Sequence, residues 1–83
     1  MVIEFNSHSL KEFRRLPKPT QRRISDKLEF FASSKAPLFF AEKLINSDIG
    51  MYRYRIGDYR VVFDIKGNTI IILSIGHRRE IYK

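Results

Sequence analysis

The chain is expected to fold as an α+β layer of order β-α-α-β-β-β, a two-helix hairpin packed on one face of a small, mainly antiparallel four-stranded sheet. Three observations predict this. Apolar residues recur at helical spacing early in the chain, at Leu10, Phe13 and Leu16 and again at Ile24, Leu28 and Phe31. From Tyr52 to Phe63 the pattern switches to period 2 around Gly57-Asp58. Ile70-Ile71-Ile72-Leu73-Ser74-Ile75 is then apolar on both faces, as an interior strand requires.

Val2 to Asn6 reads as a short strand. Ser9 followed by Glu12 is a capping-box pattern and predicts a first helix. Pro17 ends it, and Pro19 suits the first turn of a second helix reaching about Ala32. The outer face of that helix carries Arg22, Arg23, Asp26 and Lys27. Ser33 to Pro37 is a linker. Leu38 to Ala41 admits two readings: one helical turn started by Pro37, or an irregular segment against the core. Asn46 to Gly50 is turn-rich. Everything after Met51 reads as strand, with Ile65 to Thr69 forming a second turn and His77 to Lys83 a short basic tail.

A length of 83 residues allows one domain, 1–83, with one modest core. A hydrophobic share of 43% argues against disorder. The net charge of +7 points to nucleic acid, an acidic protein partner, or both. With no cysteine there is no disulfide and no cysteine-based zinc site, and the two histidines are widely separated. No cofactor or metal is expected. No apolar run approaches the ~20 residues that span a bilayer. The start, Met1-Val2-Ile3-Glu4-Phe5, has no signal-peptide pattern, so a cytoplasmic protein is expected.

The hairpin carries the chemistry. A two-residue loop sets Ile56 opposite Tyr59, Arg55 opposite Arg60, Tyr54 opposite Val61 and Arg53 opposite Val62. One face then holds Tyr52, Tyr54, Ile56, Tyr59, Val61 and Phe63, fit to pack on the helices. The other gathers Arg53, Arg55 and Arg60. Like charges directly opposite on a sheet cost roughly 0.2–1 kcal/mol, which a fold has no need of and a polyanion would repay. Continuing the register through the second turn sets Ile75 opposite Arg60, Leu73 opposite Val62 and Ile71 opposite Asp64. The arginine face is therefore expected to be open, with an apolar floor of Val62, Ile71, Leu73 and Ile75.

The element order, the run Tyr52-Arg53-Tyr54-Arg55-Ile56-Gly57-Asp58-Tyr59-Arg60-Val61-Val62-Phe63 and the ending Ile75-Gly76-His77-Arg78-Arg79-Glu80-Ile81-Tyr82 resemble the RelE/ParE superfamily of toxins across essentially the whole chain. The ending is more similar to the RelE branch. That resemblance implies an endoribonuclease that cuts mRNA in the ribosomal A site and is silenced by a cognate antitoxin. It implies contact with operator DNA only through the antitoxin, and no membrane partner. It also implies site residues at Arg53 and Arg55 before the turn, Arg60 after it, His77 and Arg78 after the last strand, and Tyr82 near the end, with Arg79 beside them. The family often has lysine where this chain has Arg53 and Arg55.

In such cleavage the 2′-hydroxyl attacks the adjacent phosphorus and the 5′-oxygen leaves. Guanidinium groups supply forked donors to the charge that builds on the phosphoryl oxygens, a role that suits Arg55, Arg60 and Arg78. They are poor bases at neutral pH. His77 has the suitable unperturbed pKa of about 6.5, or else it only binds phosphate or caps the strand end. Tyr82 stacks on a base, or packs the tail over the apolar floor. Arg53 grips RNA, or pairs with an acid such as Asp64. Two other functions stay open: a ParE-like protein that blocks DNA gyrase by binding alone, and a member that only assembles with its antitoxin.

Overall fold

The computed structural model describes residues 1–81. Val2–Phe5 forms β1, and Asn6 caps α1 (Ser7–Arg14), its Oδ1 accepting from the Ser9 backbone N–H at 2.8 Å. The expected capping box of Ser9 and Glu12 does not form, because both side chains serve the sheet instead. The buried Ser9 hydroxyl donates to the Ile72 carbonyl at 2.7 Å. Glu12 Oε1 accepts from Ser74 Oγ at 3.0 Å and from the Ile75 N–H at 2.9 Å. α1 is thus bolted to the last strand by side chains at its first and second turns.

Pro17 separates α1 from α2 (Lys18–Ser33), which carries Pro19 in its first turn, where a missing N–H costs nothing. α2 buries Ile24, Leu28, Phe31 and Ala32. Pro37–Phe40 is a 3-10 turn, the helical-turn form of the two open readings, and leads into β2 (Ala41–Lys43). Next come β3 (Tyr52–Ile56), β4 (Tyr59–Lys66) and β5 (Thr69–His77). The sheet therefore has five strands, not the expected four, in the order β1-β5-β4-β3-β2. The extra strand is β2, which sets Ala41 opposite Tyr54, Glu42 opposite Arg53 and Lys43 opposite Tyr52. Three residues are too few to display an alternation. β1 runs parallel to β5, and the other neighbours are antiparallel.

The first hairpin keeps the expected register at every pair, with Gly57 leading its loop at φ 60°. The second departs from it. Asp64 faces Ile71 as expected, but a bulge beyond Phe63 and Ile72 makes Leu73 the extra residue. Val62 then faces Ser74, and Arg60 faces Gly76 rather than Ile75. The shift turns Ile75 inward, opposite Val61, where it is 2% exposed. The expected open floor is partly closed as well, with Ile71 and Leu73 left half-buried. Val62 is fully buried, and the loop before β3 crosses it: a Cβ on Gly50 would lie 2.5 Å from Val62 Cγ1 and 3.1 Å from Leu73 Cδ1.

The core lies between α2 and the inner face of the sheet, with Tyr54, Val61, Phe63, Ile70 and Ile72 all fully buried. Each such side chain contributes about 1.5–3 kcal/mol relative to exposure. Tyr54 stacks on Phe63 at 4.4 Å and meets Phe31 of α2 at 4.4 Å. Its hydroxyl donates to the Pro37 carbonyl at 2.9 Å and so pins the 3-10 turn. Among the described residues, no helix is long and apolar enough to cross a membrane.

Burial pushes the Tyr54 phenol up to about 12, so folding favours the neutral form. This contribution is whole below the unfolded value near 10 and is lost as pH rises through the folded one. Tyr54→Phe is expected to cost about 0.5–1.5 kcal/mol at pH 7, through loss of its hydrogen bond. It should also flatten the decline in stability between pH 10 and 11.5, as read by urea unfolding at each pH. Gly50→Ala is expected to cost about 1–3 kcal/mol, because the new methyl meets two packed side chains.

Candidate RNA-binding and catalytic site

Alternation places Arg53, Arg55 and Arg60 on the face of β3–β4 opposite the helices, with Arg55 directly across from Arg60. Their surroundings differ. Arg55 is exposed, whereas Arg60 is 6% exposed and not open as expected. One Arg60 guanidinium nitrogen donates to the carbonyls of Gly57 at 3.0 Å and Tyr59 at 2.9 Å. Arg60 thus braces the turn that precedes it.

What makes three facing cations tolerable is a carboxylate that the sequence reading passed over. Glu42 enters from β2, opposite Arg53. Its Oε2 accepts from Arg53 at 2.9 Å, and its Oε1, shielded from solvent, lies 3.5 Å from Arg55 Nε. The hydrogen bond from Arg53 holds the Glu42 carboxyl below its ordinary value; partial burial opposes this, and the charges of Arg53, Arg55 and Arg60 add to it. Arg53 therefore pairs with Glu42 and not with Asp64, whose Oδ1 accepts from the Met51 N–H at 2.8 Å. No local pattern marks Glu42. The available signal is its place in a short stretch that returns antiparallel to the arginine-bearing strand.

Two further arginines converge on the Gly57-Asp58 turn. The Arg78 N–H donates to the Asp58 carbonyl at 2.8 Å, and its side chain lies 3.8 Å from Asp58 Oδ1. From α2, the Arg23 guanidinium lies flat against Gly57, so that a Cβ there would sit 2.8 Å from one of its nitrogens. Gly57 is thus required twice, for its positive φ and for this approach. The sequence reading left Arg23 on a solvated helix face, since only the tertiary fold brings it to the turn.

His77 does not join the arginines. It pairs with Tyr59, one step from Arg60 in the alternation, and so points to the helix side. The two rings meet edge to face at 5.7 Å. Beside them, Glu12, Arg15 and Ile81 line a shallow cleft. The His77 carbonyl accepts from the N–H groups of Glu80 and Ile81, and its Nδ1 accepts from the Arg79 N–H at 3.2 Å. His77 therefore folds the tail back beyond the strand. Arg79 is exposed next to Arg78. Tyr82 lies outside the described residues.

A sequence model of the ParE toxin of the type II parDE toxin–antitoxin system matches residues 3–82. Toxin RelE3 of Methanocaldococcus jannaschii is 30% identical over 84 residues, spanning 99% of this chain and 96% of that protein. A chain of the RelB–RelE antitoxin–toxin complex from Methanococcus jannaschii superposes with a TM-score of 0.70 at 28% identity, covering 95% of this chain and 94% of that one. A chain of the archaeal RelE–RelB complex from Pyrococcus horikoshii OT3 gives a TM-score of 0.73 at 26% identity, covering 95% and 96%. The matches carry both branch names and span nearly the whole chain. This chain therefore belongs to the RelE/ParE superfamily of type II toxin–antitoxin toxins.

Proposed function

We propose that this chain is a RelE-like toxin: a metal-independent endoribonuclease that cuts mRNA in the ribosomal A site and is held inactive by a cognate acidic antitoxin. The observation that carries this reading is a pair of adjoining cationic groups on one hairpin: Arg53 and Arg55 held by Glu42, and Arg60 and Arg78 held at the Gly57-Asp58 turn, with Arg55 directly opposite Arg60. Relatives solved as complexes with RelB support the antitoxin. Operator DNA would be reached through that partner.

The chemistry follows from the geometry. RNA enters the exposed side of the site, where Arg55 and Arg78 are more than half exposed. Its phosphate competes with Glu42 and Asp58 for their guanidinium groups. Arg60, buried and bound to main-chain carbonyls, holds the turn and adds a fixed positive charge that needs no reorganisation as charge builds on the phosphorane. Glu42 is the carboxylate that bridges Arg53 and Arg55, and it stays ionised at neutral pH. It takes the 2′-hydroxyl proton as the 2′-oxygen–phosphorus bond forms; the bond to the 5′-oxygen breaks, that oxygen takes a proton from water, and the products are a 2′,3′-cyclic phosphate and a 5′-hydroxyl. His77, on the other side of the sheet, positions the tail that carries Arg78.

A second reading has one observation in its favour, the ParE name of the matching family model. It is a toxin that blocks DNA gyrase by binding, without cutting RNA. Induced expression with mapping of mRNA 5′ ends separates the two. In-frame cuts inside coding regions are expected. Growth arrest with intact mRNA and a DNA-damage response would replace the ribonuclease reading with the gyrase one.

Arg55→Ala and Arg78→Ala should each lower cleavage by about 10²-fold with unchanged thermal melting, since each removes one donor to the developing charge. Glu42→Gln keeps the shape and loses the base. It should slow single-turnover cleavage by about 10²–10⁴-fold and abolish the fall in rate at acid pH. That fall should lie below the ordinary value of a glutamate in the wild type, because the hydrogen bond from Arg53 shifts the carboxyl down. An unaltered pH profile in Glu42→Gln would strip Glu42 of the base role and leave it an arginine-positioning residue.

A further inference from the structure

Four of the eight exposed large apolar side chains among the described residues lie in one place. Phe30 at the end of α2 is 57% exposed, and Leu38, Phe39 and Phe40 of the 3-10 turn are 41%, 81% and 38% exposed. The Phe30 and Phe40 rings are 5.6 Å apart, and those of Phe39 and Phe40 are 5.3 Å apart. The patch is rigid from beneath. Phe40 stacks on buried Phe31 at 4.8 Å, Phe31 meets Tyr54, and the Tyr54 hydroxyl holds Pro37. A contiguous, preorganised aromatic surface of this kind marks a partner site.

Its border is basic on the helix side. Lys27 Nζ lies 5.9 Å over the Phe30 ring, and Arg23 and Lys27 line the hollow beside it with Asp26. A second copy of this chain would set one +7 body against another. An acidic segment meets no such repulsion. The apolar floor beside the arginines, the other surface for such a partner, is reduced to half-buried Ile71 and Leu73 by the Gly50 loop and the inward turn of Ile75.

We infer that Phe30, Leu38, Phe39 and Phe40 form the principal apolar anchor for an acidic amphipathic segment of the cognate antitoxin, and that this seat lies apart from the arginine site. The inference rests on the antitoxin reading given above. The segment lays two or three apolar side chains over the phenylalanines and turns its carboxylates towards Lys27 beside Phe30.

The test uses the full chain and, as the antitoxin probe, the purified product of the gene adjoining its own. Phe30→Glu and Phe39→Glu change exposed positions, so the melting temperature should hold. Each should weaken antitoxin binding by at least about 30-fold in titration calorimetry. RNA cleavage by the free chain should stay at the wild-type level, and growth arrest should persist when the antitoxin is co-expressed. Lys27→Glu should chiefly slow association and reduce its salt dependence. Affinities within about twofold of wild type in both phenylalanine variants would overturn the seat while leaving the antitoxin reading intact. A free chain that is dimeric at micromolar concentration, and monomeric as Phe39→Glu, would assign the patch to self-association instead. A wild-type chain that does not bind the neighbouring protein would overturn the antitoxin reading and this inference with it.

Discussion

The two-residue loop at Gly57-Asp58 is the constraint on which the site depends. A loop this short leaves no freedom in register, and register on a pleated strand decides which side chains share a face. With Gly57 left-handed and first in the loop, Arg55 must oppose Arg60, while Tyr54 and Val61 must go into the core. The apolar residues supply the free energy that fixes the pairing, and the arginines are carried into juxtaposition by it. Their mutual repulsion is small beside the burial of Tyr54, Val61 and Phe63 and is offset further by Glu42. The same turn then collects Arg60, Arg78 and Arg23 on its carbonyls, its carboxylate and its bare Gly57 face.

What could be read in advance follows from how local each cause is. Period-2 alternation and a glycine-led turn are contained within a dozen residues, so the arginine hairpin was legible to the last pair. The helices were legible in type and less so in their ends. Ser9 and Glu12 look like a cap, yet Asn6 takes that role, because burial against β5 offers the other two better partners. The bulge at Leu73 was invisible. A run of isoleucines and leucine that is apolar on both faces carries no alternation from which to detect a slip of one residue. The slip has a visible anchor in the structure, since Glu12 receives the Ser74 hydroxyl and the Ile75 N–H just past the bulge. β2 and Glu42 were missed for a related reason: three residues give no pattern, and their meaning comes from a strand that begins nine positions later.

The core and the site are joined through one side chain. Tyr54 stands between Arg53 and Arg55 in sequence and faces the opposite way. Its ring is clamped by Phe31 and Phe63, and its hydroxyl holds Pro37, the first residue of the turn that delivers β2. Across the strands Tyr54 faces Ala41, so the backbone of β2 is set against β3 one residue before Glu42. Glu42 then meets Arg53 and Arg55 as a consequence of packing three or four residues away. Phe40, the last residue before β2, touches both the core and the surface patch: it stacks inward on Phe31 and meets Phe39 edge to face on the outside. The chain itself joins the two, since Phe40 is followed directly by Ala41, the first residue of the strand that carries Glu42. Among the described residues β2 is an edge strand paired with β3 alone, so the place of Glu42 rests on that three-residue pairing and on the stacking of Phe40 just before it.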